Sequence, residues 1–197
     1  MSSPTPLPLP LILASGSRYR AQLLARIKIS FLGVEPNIDE TPRANESAAL
    51  LAVRLADAKA RAIAGQFRGH WVLGADQVAA AGGQLLGKPG GHEQAVEQLR
   101  QLSGRPAQFL TAVTLLKDDR LLKAFDVTTV RFRTLKDTDI QRYLAAEPAF
   151  DCAGSFKSEG LGITLFDEIQ SRDPTALIGL PLIAVSRLLR EAGYSLP

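Results

Sequence analysis

The sequence has few of the residues that build disulfide frameworks and zinc sites. Its 197 residues include one cysteine, Cys152, and two histidines, His70 and His92. A single cysteine excludes a disulfide within the chain, and these three residues match no familiar zinc-ligand spacing. Because a lone cysteine is typical of a reducing compartment, we expect a cytoplasmic protein.

The sequence also lacks a long apolar run and a strong excess of one charge. No stretch of 18 apolar residues occurs, so we expect no membrane-spanning helix and no membrane partner. The 23 basic and 20 acidic residues give a net charge of +3, which argues against a nucleic-acid-binding protein. The first 69 residues hold nine Lys and Arg against five Asp and Glu, a local excess that favours an anionic small molecule.

The composition that remains is that of a globular protein. Hydrophobic residues make up 46% of the chain and charged residues 22%, which allows a core large enough to hold a concave site. Residues 1–10, MSSPTPLPLP, have no basic segment typical of a signal peptide, and we expect a short flexible lead there. We expect residues 11–197 to form a single domain, with one core or two closely packed lobes.

Hydrophobic periodicity predicts strands that alternate with helices. Short apolar runs and turn residues predict strands and hairpins over 11–14, 31–34, 71–75, 78–86, 108–133 and 163–166. A period near 3.6 predicts helices over 18–28, 46–64, 93–102, 137–145 and 181–192. Loops are expected over 36–45 and 149–162. Crossover and hairpin connections both occur in this order, which indicates an α/β or α+β protein with a mixed sheet.

Two acidic segments are candidate ligands of a divalent cation. Asp76 is expected at the C-terminal end of the strand over 71–75, a position that suits a metal ligand or a general base. An aspartate that merely starts a turn is the alternative there. Asp39-Glu40, in the proline-bounded loop, could join Asp76 in holding Mg²⁺, which prefers oxygen ligands, although such pairs are more often surface features.

Basic residues near predicted turns are candidate phosphate ligands. Ser15 and Arg20 flank the start of the first helix, where backbone N–H groups can cradle a phosphate, and an ordinary N-cap at Ser17 with an exposed Arg20 is the alternative. Residues 82–88 match the spacing of a P-loop, but Pro89 replaces the required Ser or Thr, which argues against one. Lys88 could still bind phosphate, with a solvated turn lysine as the alternative, and Lys59 taken alone is expected to be solvated.

Seven short motifs follow one another in an order that resembles the Maf family of nucleoside triphosphate pyrophosphatases. The motifs, which cover residues 11 to about 190, are Leu-Ile-Leu-Ala-Ser-x-Ser with Arg20, Asp-Glu-Thr at 39–41, Leu-Ala-x-x-Lys-Ala at 55–60, Gly-Ala-Asp-Gln at 74–77, Gly-Lys-Pro at 87–89, Cys-Ala-Gly-Ser-Phe-Lys-Ser-Glu-Gly-x-Gly-Ile at 152–163 and Arg-Asp-Pro-x-x-Leu-Ile-Gly-Leu-Pro-Leu at 172–182. The resemblance implies a two-lobed α/β fold, similar to ITPase-like proteins, with an elongated mixed sheet, flanking helices and a central cleft.

The resemblance also implies an activity and a set of site residues. The activity is hydrolysis of a nucleoside triphosphate substrate to the monophosphate and pyrophosphate with a divalent metal, expected to be Mg²⁺. Asp76 matches the catalytic aspartate of the family, and Glu40 would hold the metal together with Asp76. The residues that match substrate-binding positions are Ser15, Arg20, Lys59 and Lys88. A homodimer is a further possibility that the resemblance raises.

Three positions concern the base of the substrate. Tyr19, Gln77 and Glu159 resemble the aromatic, Gln and Glu of the Maf branch that acts on 7-methyl-GTP, whereas the branch that acts on dTTP and UTP has Arg, Thr and Gln there. Methylation at N7 makes guanine cationic, and the Tyr19 ring could stack on it with a cation–π attraction of about 0.5–2 kcal/mol. Glu159 could accept hydrogen bonds from the guanine N1–H and amino group. A dTTP/UTP pyrophosphatase is the alternative.

Two positions depart from the pattern of the family. Arg18 and Ala21 stand where members have Ser-Pro-Arg-Arg or a close variant after the first strand. One phosphate contact is therefore either missing or supplied by Arg18. For this reason a nucleotide-binding protein without catalytic activity remains a second alternative.

Overall fold

The computed structural model describes residues 9–197 of the chain. The predicted flexible lead over residues 1–10 lies almost wholly outside the described residues. At its end, the carbonyl oxygen of Leu9 accepts a hydrogen bond of 3.3 Å from the hydroxyl of Tyr194. Within the described range, no helix has both the length and the apolar character needed to cross a membrane.

Residues 9–197 form seven strands, five α-helices and two short 3₁₀ segments. The strands are β1 (Leu11–Ala14), β2 (Phe31–Val34), β3 (Val72–Ala81), β4 (Gln84–Leu86), β5 (Pro106–Lys117), β6 (Arg120–Phe132) and β7 (Phe166–Gln170). The helices are α1 (Arg18–Ala25), α2 (Ala48–Ala64), α3 (His92–Leu102), α4 (Asp137–Ala146) and α5 (Leu182–Glu191). The 3₁₀ segments are Leu161–Leu165 and Ala176–Ile178.

All seven strands join one elongated mixed sheet, as the sequence predicts. Its order is β2-β1-β3-β5-β6-β7, with β4 paired to β3, and β1 is parallel to both of its neighbours while the other pairs are antiparallel. β1 pairs with β3 only up to Gly74, and β4 pairs with β3 only from Ala79 onward. Between these two points, residues 75–78 of β3 have no strand beside them on that edge.

Two separate cores on one face of the sheet make the protein two-lobed. The first core packs α1 and α5 against Leu73 and Val113, and the second packs α3 and α4 against Ala79 and Phe109. Because alternate residues of a strand face the same side, residue 77 of β3 lies on this face between the two cores. The opposite face is covered by α2, whose Ala60 and Ile63 pack against Val72, and whose Leu55 and Ala56 pack against Val78.

Gly74 allows α2 to lie directly against β3. A Cβ atom at this position would stand 2.3 Å from the carbonyl oxygen of Ala56 and 2.7 Å from the backbone nitrogen of Ala60. Only a residue without a side chain fits so close to a helix backbone. The short separation brings Lys59 of α2 next to Asp76, two residues beyond Gly74 on β3.

Two predicted features of the fold are wrong. The apolar run over 163–166 was expected to be a strand, but residues 161–165 form a 3₁₀ segment and β7 begins only at Phe166. Gly162 packs so closely on the carbonyl oxygen of Lys157 that a Cβ would lie 2.4 Å from it, and the Thr164 hydroxyl donates to Leu161 within the turn. These local contacts stabilise the turn instead of a ladder.

The second error concerns the end of the strand before Asp76. The strand continues to Ala81, because β5 pairs with β3 without interruption from Val72 to Ala80. Asp76 is therefore in the middle of a long strand and not at its C-terminal end. It nevertheless reaches a cleft, since β1 has already ended at Ala14, the partner of Gly74.

Candidate active site

A cleft of about 770 Å³ opens where the edge of β3 is uncovered. Ligand pockets for small molecules are typically about 300–1,000 Å³. The lining of this cleft includes nine of the residues that the sequence proposes for the site, namely Ser15, Tyr19, Arg20, Glu40, Lys59, Asp76, Gln77, Lys88 and Glu159. Asp39 is not among the lining residues, and its carboxylate accepts a hydrogen bond from the backbone nitrogen of Thr41. The fold thus brings together residues that are up to 144 positions apart in the chain.

Lys59 lies at the centre of a charged cluster. Its ammonium nitrogen is 2.6 Å from Oδ1 of Asp76 and 2.7 Å from Oε1 of Glu40. Lys59 is only 6% exposed and Asp76 only 5%, whereas the Glu40 side chain is half-exposed. The expectation that Lys59 is an ordinary solvated lysine is wrong, because Gly74 lets α2 deliver this side chain into the cleft.

The electrostatics of Asp76 follow from its burial. Burial raises the pKa of Asp76, because a carboxylate loses hydration, and the positive charges of Lys59 and Arg20 oppose that rise. The result is a carboxylate with a pKa above the ordinary value of an aspartate. Such a group accepts a proton more readily than an exposed aspartate does.

Arg20 and Ser15 form a second polar group at the start of α1. Nε of Arg20 donates to the carbonyl oxygen of Gly179 at 3.0 Å, and Nη1 donates to the Ser15 hydroxyl at 3.4 Å. Gly179 has φ of +119°, a backbone conformation that favours glycine, so the turn can direct its carbonyl at the arginine. Ser17 is the N-cap of α1, as expected, but Arg20 is half-buried and not an exposed surface residue.

Gln77 binds the turn that joins the two lobes. Its amide nitrogen donates to the carbonyl oxygens of Ala176 and Leu177 at 2.7 and 3.1 Å and to the Thr111 hydroxyl at 3.1 Å. Both amide hydrogens are therefore committed to the protein. The amide oxygen is the atom of Gln77 that can face a substrate.

Tyr19 belongs to a network across the mouth of the cleft. Its hydroxyl accepts a hydrogen bond of 2.8 Å from Arg18 and donates one of 3.1 Å to Asp151. The thiol of Cys152 points to the same hydroxyl at 3.9 Å. Sequence reasoning noted Arg18 as a departure from the family pattern, but it missed Asp151, because no local signal marks an exposed aspartate of a loop as a neighbour of α1.

The loop that carries Glu159 is anchored on α4. The hydroxyl of Tyr143 accepts from the backbone nitrogen of Lys157 at 3.1 Å, and Glu147 accepts from the backbone nitrogen of Gly162 at 3.1 Å. These two bonds hold the segment on either side of Glu159. Glu159 itself is exposed at the cleft, as is Lys88 at the end of the β3–β4 hairpin.

The carboxylates of Glu40 and Asp76 could hold a metal cation that takes its remaining ligands from a bound substrate and water. Lys59 already places a positive charge between Glu40 and Asp76, and both offer the oxygen atoms that Mg²⁺ prefers. No group of three or more His, Cys, Asp or Glu within residues 9–197 is arranged to hold a metal. A metal bound here would therefore take further ligands from substrate phosphates and water, which is the usual arrangement for Mg²⁺.

Solved structures of low similarity are found for part of the chain. A Ham1 protein of Staphylococcus aureus aligns with a TM-score of 0.48 and 16% identity, over 63% of this chain and 72% of that one. A HAM1 protein from Coxiella burnetii aligns with a TM-score of 0.46 and 19% identity, over 63% of this chain and 73% of that one.

Sequence relatives are much closer and cover nearly the whole chain. The 7-methyl-GTP pyrophosphatase of Xanthomonas oryzae pv. oryzae (strain MAFF 311018) is 57% identical over 187 residues, which are 95% of this chain and 98% of that protein. The 7-methyl-GTP pyrophosphatase of Bordetella pertussis (strain Tohama I) is 52% identical over 183 residues, or 93% of this chain and 92% of that protein. The model of the Maf-like protein family matches residues 10–192, and the chain therefore belongs to the Maf-like protein family.

Proposed function

We propose that this protein hydrolyses 7-methyl-GTP to 7-methyl-GMP and pyrophosphate. One observation of the structure carries the proposal: the basic and acidic residues suited to a triphosphate and the three candidate base-reading residues line the same cleft. Relatives of 52–57% identity over nearly the full chain have the name of this activity. The name of the relatives supports the substrate, and the cleft supports the chemistry.

The triphosphate would lie against Arg20, Lys59 and Lys88. Arg20 and Lys59 are held inside the cleft by Gly179, Asp76 and Glu40, so their positions are set before substrate binds. Preorganised cations of this kind neutralise the charge that grows on the leaving pyrophosphate, and they need no rearrangement during the reaction. Lys88, which is exposed at the end of the β3–β4 hairpin, would contact the phosphates from that side of the cleft.

Asp76 would act as the general base. A water oxygen attacks the α-phosphorus while Asp76 accepts the proton of that water. The bond from the α-phosphorus to the oxygen bridging the β-phosphate then breaks, and pyrophosphate leaves with the electron pair. Burial raises the pKa of Asp76, which favours acceptance of this proton, and the contact with Lys59 holds the carboxylate in position.

Glu40 and Asp76 would hold a divalent cation, for which we propose Mg²⁺, together with the substrate phosphates. Such a cation polarises phosphoryl oxygens and stabilises their charge in the transition state. Both carboxylates contact Lys59, which would bind the phosphates, and this proximity supports their proposed role in holding the cation.

The base would be recognised by Tyr19, Glu159 and the amide oxygen of Gln77. The aromatic ring of Tyr19 favours a cationic ring such as 7-methylguanine through cation–π attraction. Glu159 accepts from the N1–H and the amino group of guanine, whereas uracil and thymine offer only one such donor. This combination favours a methylated guanine over dTTP and UTP.

Pyrophosphate release from a panel of triphosphates with Mg²⁺ tests the proposal. The panel consists of 7-methyl-GTP, GTP, dTTP, UTP and ATP, and we expect the highest kcat/KM for 7-methyl-GTP. Preference for dTTP or UTP would keep the hydrolase and contradict the assignment of the base-reading residues. Tight binding of nucleotide without release of pyrophosphate would favour the non-catalytic alternative.

Asp76→Asn tests the catalytic assignment against a matched control. Asp126 of β6 is also a buried aspartate, 8% exposed, and it is not among the residues that line the cleft. We expect Asp76→Asn to lower kcat at least about 10²-fold, the contribution typical of general acid–base catalysis, and Asp126→Asn to leave kcat within about twofold. An Asp76→Asn protein with most of its activity and an unchanged metal dependence would refute both roles of Asp76.

Two further expectations remain proposals. The first is a homodimer: Phe125 and Val127 on β6 are 44% and 39% exposed, and this half of β6 pairs with β5 alone within the described part of the chain. Light scattering of the purified protein measures this state. The second is a cytoplasmic location, which rests on the single cysteine of the sequence.

A further inference from the structure

Tyr19 and Asp151 form a small cation-binding site at the mouth of the cleft, and the guanidinium of Arg18 occupies it. The guanidinium carbon of Arg18 is 4.8 Å from the centroid of the Tyr19 ring, within the range of a cation–π contact. Nη2 of Arg18 donates to the Tyr19 hydroxyl at 2.8 Å and lies 3.6 Å from Oδ2 of Asp151. The Tyr19 hydroxyl donates to the same carboxylate oxygen at 3.1 Å. The carboxylate and the ring thus face one planar cation together.

The guanidinium shares its recognition features with a 7-methylguanine ring. Both are flat, both carry a delocalised positive charge, and both present N–H donors in the plane. A site that attracts one through an aromatic face and a carboxylate attracts the other for the same physical reasons. Arg18 therefore makes, within the protein, the contacts that a methylated base would make with Tyr19.

We propose that Arg18 is an internal placeholder for the methylated base, and that Asp151 is a specificity-determining residue that favours a cationic over a neutral base. The inference rests on the proposed function, since it concerns 7-methyl-GTP as substrate. In the free protein Arg18 covers the Tyr19 face, and the incoming base displaces it. Asp151 then faces the methylated ring and the Tyr19 hydroxyl.

Because both side chains are exposed, displacement of Arg18 by the base costs little free energy. The Arg18 side chain is 68% exposed and that of Asp151 is 51% exposed, so water solvates the guanidinium once it leaves the ring. Exposed ion pairs and cation–π contacts are weak, and each corresponds to about a two- to five-fold change in affinity. Effects of that size are the ones to look for.

The test compares kcat/KM for 7-methyl-GTP with kcat/KM for GTP in each variant. Both substrates have the same triphosphate, so the ratio cancels any effect of a lost charge on phosphate binding. The assay is run at mildly acidic pH, where the methylated base keeps its positive charge. We expect Arg18→Gln to raise the ratio about two- to five-fold, because the cationic base no longer meets a second positive charge and Asp151 is free to attract it, whereas neutral guanine gains nothing from either change.

Asp151 is tested in the background of Arg18→Gln. In the wild-type protein Asp151 both holds Arg18 and attracts the base, and these two effects oppose each other. Without Arg18 only the second effect remains, so we expect the added Asp151→Asn change to lower the ratio about two- to five-fold relative to Arg18→Gln. A merely structural role of Asp151 would change the turnover of both substrates equally and leave the ratio unmoved.

Arg131 and Glu168 supply the matched control. Their N–O distance is 3.7 Å and their side chains are 55% and 49% exposed, values close to those of Arg18 and Asp151. Neither is among the residues that line the cleft. We expect Arg131→Gln with Glu168→Gln to leave the ratio within experimental error.

The outcomes separate this inference from the proposed function. A wild-type protein that prefers dTTP or UTP, or that turns over no triphosphate, would overturn both. A wild-type preference for 7-methyl-GTP with a ratio unchanged in the Arg18 and Asp151 variants would overturn only the placeholder. A lowered ratio in Arg18→Gln would also overturn it, because Arg18 would then assist the base instead of competing with it.

Discussion

Substitution of Gly74 by alanine is expected to damage both the stability and the activity of the protein. The added Cβ would stand 2.3 Å from the Ala56 carbonyl oxygen, and atoms of this kind do not normally approach closer than 3.0 Å. The added Cβ is fixed to the backbone of β3 and the carbonyl oxygen belongs to the backbone of α2, so no flexible side chain can move aside. The helix and the strand must separate by several tenths of an ångström.

The magnitude follows from the cost of inserting atoms into a packed core. Such overpacking costs about 1–3 kcal/mol. For a domain of this size, each kcal/mol lowers Tm by about 2–4 °C, so we expect a loss of about 2–12 °C. The separation also moves Lys59 away from Asp76, a contact of 2.6 Å, and misplacement of about 1 Å can cost about 10²-fold in rate.

Thermal unfolding and pyrophosphate release measure the two effects. Gly33→Ala is the matched control, because Gly33 is also a strand glycine, in β2, and an added Cβ there would meet nothing within 4 Å. We expect Gly33→Ala to change Tm by less than about 2 °C, since alanine in place of a strand glycine is neutral or mildly favourable. A Gly74→Ala protein with the Tm and kcat of the wild type would refute the argument that this glycine sets the position of Lys59.

Two other predictions concern groups with shifted pKa values. Burial and the neighbouring Asp151 raise the pKa of the Cys152 thiol to about 11. Iodoacetamide at pH 8 should therefore alkylate Cys152 at least about tenfold more slowly than it alkylates a free cysteine peptide. Equal rates, measured by mass spectrometry, would contradict this prediction. Burial and the charge of Asp173 raise the pKa of Asp126 in the folded state. The stability that its protonated form contributes is complete below the ordinary aspartate pKa and is lost as the pH rises through the folded value. Asp126→Asn should therefore raise Tm at pH 7 but not near pH 3, and a gain equal at both pH values would contradict the assignment.

Much of the fold was predictable because the local pattern and the tertiary structure agree. The helix over 46–64 was expected from an apolar stripe, and α2 begins two residues later because Ser47 is its N-cap and accepts a hydrogen bond from Leu50. The Gly82-Gly83 hairpin was expected from its turn residues, and both glycines have positive φ, as a tight hairpin requires. The prediction of a strand over 163–166 was wrong, because contacts of the neighbouring Gly162 with Lys157 and Glu147 decided the local conformation.

That the proposed site residues would share one cleft was predictable, but their contacts were not. The motifs indicate that Lys59, Asp76 and Glu40 belong to one site, and the structure places all three in the cleft. Nothing in the sequence shows that the Lys59 ammonium lies between the carboxylates of Glu40 and Asp76. Nor does it show that the Gln77 amide donates its hydrogen bonds to the 176–178 turn. Those facts depend on the register of β3 with β1 and β5.

The sequence alone determined the family pattern, the helices and strands, and the types of side chain in the site, because periodicity, turn residues and motifs are local properties of the chain. The tertiary structure alone decided where the cleft opens, which face of β3 each side chain takes, and which partners share a charge. It did so because β1 ends opposite Gly74 while β5 continues past Asp76, and because 132 positions of sequence separate Tyr19 from its partner Asp151. Contacts between such distant residues depend on packing of the whole chain, which no local pattern encodes.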